Sequence, residues 1–493
     1  MHLDGSHIDL DAFCDAARTP RVLTVADTVQ ARISDTHARV AALADGAPAY
    51  GLNTGLGANL NHRLDAAERK TYQRQLLRER AVACGDPLAE NLCRGVLLSR
   101  VITATSGHSG ISPALFDFLC EVYRQGLAPV TPEYGSIGAG DLTQSATAGL
   151  ALCGEGELWL DNTRHDAAAL LSAQGLTAPS LQARDGMVLA SHSGVTVSLT
   201  AHALNGARTA LDMLQHAALL AYLGFDANRT IFAEATNALR HAPGQAETAA
   251  WFRRALDGAS HHPRQVQEAL SFRTVAPVLG AARDALDRAT AIWTDELNAC
   301  GDNPVLLDDG QMHSTPNFHN GALALALQTL RIALTDAATG SVQRMQRMMD
   351  PTRSGLPRYL ADDTQAGAGL VPTQKTALAL LADIRQHGSA IEHTALAVSD
   401  GVEDVAPLTA TAARQLHRQL HPLRLLAGLE SRVACRAIAL REPETLGALG
   451  AALLRSLPAP QAAFARDIQA VTDGLDRFCT HTRQGDRVAT TSD

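Results

Sequence analysis

Lysine is nearly missing from this chain: among 42 lysines and arginines, only Lys70 and Lys375 are lysine. Aromatic residues are also scarce, at 4% of 493 positions, and no basic run is long enough to track a phosphate backbone. With a net charge of -9, the chain is not expected to bind nucleic acid. Its eight cysteines (Cys14, Cys84, Cys93, Cys120, Cys153, Cys300, Cys435 and Cys479) are scattered without CxxC pairs. That spacing argues against a disulfide scaffold and fits a reducing compartment. No apolar run approaches the roughly 20 residues of a membrane span. The stretch MHLDGSHIDLDAF places acidic residues where a signal peptide needs basic ones. A cytoplasmic protein without a membrane partner is expected. His261 and His262 are adjacent, but no HExxH motif is present, so no metal site is expected.

What the chain does have is alanine and leucine in quantity, within a 46% hydrophobic and 19% charged composition. That balance favours helix over sheet. Apolar residues recur at helical spacing over Ser198 to Gly224, Asn320 to Met349, Gln374 to Val398 and Thr409 to Arg441. Short strand pairs are expected near 153–163, in GEGELWLDN, and at 304–313 around a DDG turn. Glycine and proline gather in GAPAYGLNTGLG (46–57), in LAPVTPEYGSIGAG (127–140) and from Asp350 to Pro372. Such loops can converge polar groups where a helix cannot. The expected division is a loop-rich helical head, 1–195, and a long-helix bundle with a C-terminal helical cap, 196–493. Arginine stays protonated whereas lysine can release its proton, so a retained lysine is a candidate for chemistry. Lys70, within DAAERKTYQRQ, fits an ordinary polar surface; Lys375 is the better candidate.

Seven stretches then point one way. AYGLNTGLG resembles a mobile tyrosine loop, YQRQLLRERAVACG the helix that follows it, and YGSIGAGDL a cofactor loop; SFRTVAPVLGAA, GDNPVL, PNFHNGALALA and GVEDVAPL follow in order. Over about Tyr50 to Leu416 the chain is similar to the aromatic amino acid lyases, the family of histidine and phenylalanine ammonia-lyases. The resemblance implies an all-α, fumarase/aspartase-like long-helix bundle and a homotetramer with active sites shared between subunits. It implies Tyr50 as base, Arg273 as carboxylate anchor, and Glu403, Gln267, Phe318 and Asn53 around a small-molecule substrate.

Members of that family cyclise an Ala-Ser-Gly tripeptide into the electrophile methylidene-imidazolone. Here the loop reads Gly138, Ala139, Gly140, Asp141, with no serine between alanine and glycine. Ser136 is flanked by Gly135 and Ile137, and a β-branched residue is a poor ring-closing partner compared with glycine. The cofactor is therefore expected to be absent. Other departures cluster at the same site: Arg80 replaces a histidine, Ser191 (followed by His192) an asparagine, and Leu270 a tyrosine. Lys375 lies four residues after Val371, which aligns with a pocket position, so on a helix the two share a face; a buried lysine beside Glu403 is one reading, a structural ion pair another. Arg80 has a similar alternative, a pair with Glu79.

Acid–base groups supply about 10²–10⁴-fold and an aimed charge about 10²–10³-fold, together roughly 5–10 kcal/mol of barrier. That falls short for an ordinary amine but suits a trimethylammonium, which departs as a neutral amine. Ergothionases, a branch resembling the ammonia-lyases, cleave ergothioneine in this way to trimethylamine and thiourocanate. The sequence is expected to encode such a carbon–nitrogen lyase. An ammonia-lyase or aminomutase with an unconventional electrophile, and a catalytically silent homologue, stand as alternatives.

Overall fold

The computed structural model describes the chain except residues 21, 56–60, 362–367, 392–396, 460–463 and 491–493, and the side chains of 70, 464, 465 and 484–490. Parts of the tyrosine loop, of the 350–372 loop and of the expected 374–398 helix, together with the Lys70 side chain, therefore lie outside the described residues. The chain divides into two compact units, each discontinuous in sequence. The first joins Met1–Asn205 to Thr290–Leu325 and Ile391–Arg414; the second joins Gly206–Ala289, Ala326–Ala390 and Gln415–Asp493. The protein is mostly helical, with only two-stranded and three-stranded sheets among the described residues. No described helix is long and apolar enough to cross a membrane.

In the first unit, three helices set the ground for the site. Ala66–Arg80 packs against Leu142–Leu152 and Asp185–Ala190, which also pack on each other. Asp65 starts the first of these with a capping box, accepting from the backbone of Ala67 and Glu68 while Glu68 reaches back to the Asp65 amide. The approach is close because Gly186 has no side chain: a Cβ there would stand 2.3 Å from the Gln73 carbonyl oxygen. The Gln73 side chain instead accepts from the Gly186 amide at 2.9 Å. Deeper in the unit, Trp293 meets Phe13 edge-on at 5.4 Å and donates its indole N–H to the Val197 carbonyl at 2.9 Å, so its polar end is satisfied although the ring is fully buried.

The two short hairpins form close to their expected places. Glu157–Leu160 pairs with Thr163–Asp166 across a turn in which Asp161 and Asn162 are both left-handed, the primed geometry that matches strand twist. Val305–Leu306 pairs with Met312–His313. Three of the four expected long helices run nearly as predicted, as Gly194–Phe225, Gly321–Met348 and Thr409–Arg441. The fourth is shorter: Thr373–Gly388 replaces the expected Gln374 to Val398. It stops because Arg331 takes the terminal carbonyls, donating to His387 at 2.7 Å and to Ser389 at 2.6 Å, which satisfies groups the next turn would otherwise have engaged.

The second unit is built on an aromatic cluster. Tyr222, Phe232, Phe252 and Phe272 pack together, with Phe225 stacked on Phe272 at 4.3 Å and Phe232 on Phe252 at 4.7 Å. A buried Arg344–Glu430 pair, joined by two hydrogen bonds, ties Gly321–Met348 to Thr409–Arg441. Because Phe272 is fully buried in this cluster, the adjacent Arg273 is seated on a rigid base.

Candidate active site

The degenerate loop is held from several sides. Asp141 takes a left-handed conformation just before Leu142–Leu152 and is almost wholly buried. Its carboxylate accepts from the Thr196 amide and the Thr196 hydroxyl, both at 2.8 Å, and from the Ser136 hydroxyl. Burial pushes the Asp141 carboxyl up, opposed by the hydrogen bonds from Ser136 and Thr196. Ser136 in turn accepts from the Gly138 amide at 2.9 Å, so its hydroxyl is committed as both donor and acceptor. The Ile137 carbonyl accepts from the Leu408 amide at 2.9 Å. At Gly138, φ is +83° and a Cβ would stand 2.8 Å from the Thr409 nitrogen, so only glycine fits.

This packing brings several predicted site residues together. Gly140 lies against Ser191 and Phe318: a Cβ on it would be 3.2 Å from the serine hydroxyl and 3.9 Å from the phenylalanine Cβ. Ala139 bridges to His319, next to Phe318. His192 is buried, and its Nδ1 accepts from the Gly194 amide at 3.1 Å. Burial, then the nearby Arg100 charge, lower its pKa to about 3, so the ring is neutral. It lines a narrow cavity of about 20 Å³ with Arg100, Glu296 and Asp302, room for about one water. Arg100 and Asp302 form a buried two-pronged ion pair at 3.0 and 3.1 Å. Glu296 was not visible as a site residue in the sequence. Burial pushes its carboxyl up to about 7, offset only partly by Asn320 and Ser193.

Other predicted residues have more local roles. Asn53 is fully buried and spends its amide on the tyrosine loop, accepting from the Ala49 amide at 2.8 Å and donating to the Ala44 and Ala47 carbonyls at 3.1 and 3.0 Å. Its contribution within the chain is to shape the loop that presents the half-buried Tyr50. Arg80 ends its helix, donating to the Leu76 carbonyl at 3.4 Å and standing 3.9 Å from Glu79. That long contact is the ion pair the sequence allowed. Glu403 is half-buried and accepts from the Ser399 hydroxyl at 2.6 Å.

In the second unit, Gln267 and Arg273 form one assembly. With its amide oxygen turned to the guanidinium, Gln267 accepts from both Arg273 terminal nitrogens, at 2.8 and 3.1 Å. A guanidinium has five N–H groups, so donors remain for a carboxylate. Lys375 departs from expectation: it is exposed, and Val371 sits in the turn before Thr373–Gly388 rather than on that helix. Pro372, which stands as the helix cap, breaks the shared-face argument. Lys375 and Glu403 also belong to different units, so no pairing between them is described.

The comparisons agree with the residue pattern. The family profile described as "Aromatic amino acid lyase" matches residues 8–459. A histidine ammonia-lyase of Streptomyces griseus is 34% identical over 412 residues, covering 81% of this chain and 79% of its own. Among solved structures, the ergothioneine-degrading ergothionase of Treponema denticola, in complex with desmethyl-ergothioneine sulfonic acid, has a TM-score of 0.91 at 26% identity, covering 97% of this chain and 98% of its own. The histidine ammonia-lyase of Trypanosoma cruzi has a TM-score of 0.88 at 25% identity, with 96% and 92% covered.

Proposed function

The chain belongs to the aromatic amino acid lyases, a family of carbon–nitrogen lyases acting on small molecules, and from that premise we propose that it is an ergothionase-type enzyme working without methylidene-imidazolone. The observation that carries the reading is the Gly138-Ala139-Gly140-Asp141 loop, which has no serine at the cyclising position. Its nearest serine, Ser136, already binds the Asp141 carboxylate and the Gly138 amide. The likeness to an ergothioneine-degrading enzyme over 97% of the chain supports the same reading.

The reaction needs no covalent activation. Tyr50, as phenolate, takes the β-proton of ergothioneine; the C–H electron pair becomes the new double bond, and the C–N pair leaves with nitrogen as neutral trimethylamine. Where subunits share a site, Arg273, braced by Gln267, holds the carboxylate through its planar fork. Phe318, Ser191 and the neutral His192 surround the imidazole-thione ring, while Arg80 stabilises charge at sulfur. Lys375 and Glu403 supply charge and protons when subunits share a site, and the enzyme acts as a cytoplasmic homotetramer. Incubation with ergothioneine tests the proposal: trimethylamine and a conjugated ultraviolet-absorbing product should form in equal amounts.

A second reading, histidine ammonia-lyase, is favoured by the higher identity of the Streptomyces griseus relative. Ammonia release from histidine, accompanied by the near-ultraviolet absorbance of a cyclised ring, would replace the first reading with this one.

A further inference from the structure

In the second unit, helices converge on a cavity of about 440 Å³ that is lined by none of the residues assigned to the elimination. Its volume is in the range of small-ligand sites. On one side, the Asp212 carboxylate lies between two guanidinium groups, Arg283 at 3.0 Å and Arg483 at 3.3 Å. Gln215 fixes Arg283 by accepting from it at 2.8 and 3.2 Å, and Arg483 donates to Thr209 at 2.8 Å. One carboxylate between two such cations leaves an excess positive charge held in place by neutral partners.

The opposite wall comes from Pro243–Ala255, where Thr248, Trp251 and Arg254 recur at three-residue spacing on one face. The Arg254 side chain is exposed and makes no hydrogen bond or ion pair among the described residues. Trp251 is braced edge-on by His216, at 5.1 Å and 79°. With Leu449 it gives the cavity an apolar surface. Burial lowers the His216 pKa, so that ring adds no charge. The lining therefore carries three arginines against Asp212 and Glu247.

We propose that this cavity is a binding site for a small planar organic carboxylate, its ring against Trp251 and Leu449 and its charge met by the arginines. The test is isothermal titration of the full chain with benzoate, and separately with inorganic phosphate. Benzoate should bind saturably, one per chain. R254Q, a change at an exposed position, should weaken binding by about tenfold. R273Q, which removes the carboxylate anchor of the elimination, should leave this binding unchanged. No saturable benzoate binding below about 10 mM would overturn the proposal. So would loss of binding in R273Q with none in R254Q, which would assign the ligand to the elimination site. Phosphate binding that depends on Arg254 while benzoate does not bind would overturn the ligand class.

Discussion

Replacing Glu296 by glutamine should make the protein's stability less sensitive to alkaline pH. Glu296 lines the narrow cavity beside His192 and the Arg100–Asp302 pair. Burial, with Asp141 adding negative charge nearby, raises its carboxyl from 4.5 to about 7. The folded chain thus holds this proton more tightly than the unfolded chain. That contribution is fully present below about pH 4.5 and is lost as pH rises through 7. The gap of about 2.5 pH units, at 1.36 kcal/mol each, gives an upper figure of about 3 kcal/mol, most of it between pH 5 and 8. Glutamine keeps the hydrogen-bonding shape without the charge. Urea unfolding of both proteins, at one protein concentration and at pH 5 and 8, should show the variant gaining on the wild type by most of that amount at the higher pH. The neutral, buried His192 acts in the opposite sense, since stability is lost as pH falls from 6.5 towards 3. It is common to both proteins and cancels in the comparison. Identical pH slopes for the two would refute the placement of a proton on Glu296 in this cavity.

Tyr50→Phe should lower turnover of ergothioneine by at least about 10²–10⁴-fold while circular dichroism and oligomer size remain those of the wild type; normal turnover would remove Tyr50 as base. Ser136→Ala should cost about 1 kcal/mol per lost hydrogen bond and leave turnover within a few-fold, whereas complete loss of turnover, with a near-ultraviolet band present in the wild type and absent from the variant, would mean that Ser136 is the source of a prosthetic ring. Asp302→Asn strands the Arg100 charge in the interior and should destabilise the chain by about 3–5 kcal/mol in urea unfolding, with substantial recovery when Arg100→Met is added.

Much of the fold was legible because it rests on period and punctuation. Thr409–Arg441 ends where its apolar repeat ends, and the Asp161–Asn162 turn follows from residues that tolerate positive φ. The 374–398 helix was read too long because the apolar period continues past Gly388, whereas the stop is imposed by Arg331 from a distant segment. No local propensity reports such a tertiary cap. The loop sequence around Gly138 was equally legible, but the partner that commits Ser136 is Asp141, whose orientation depends on Thr196, 55 residues on. Glu296 was missed for a related reason: a single glutamate in AIWTDELNAC reads as solvent-facing, and only packing reveals its raised pKa.

The scarcity of lysine has a physical account that differs from the one it first suggested. The structure uses arginine repeatedly as a branched donor to main-chain carbonyls: Arg331 to His387 and Ser389, Arg229 to Ala259 and Ser260, Arg441 to Gly224 and Ser354. A lysine offers a compact charge that cannot span two such acceptors in one plane. Forked donors of this kind favour arginine over lysine at such positions, so being a retained lysine does not by itself make a residue catalytic. Lys375, exposed within the single chain, owes its candidacy to the alignment of Val371 with a pocket position, so it reaches substrate only under the proposed sharing of sites between subunits. A Lys375→Met variant that keeps wild-type turnover within the intact oligomer would assign it to the surface.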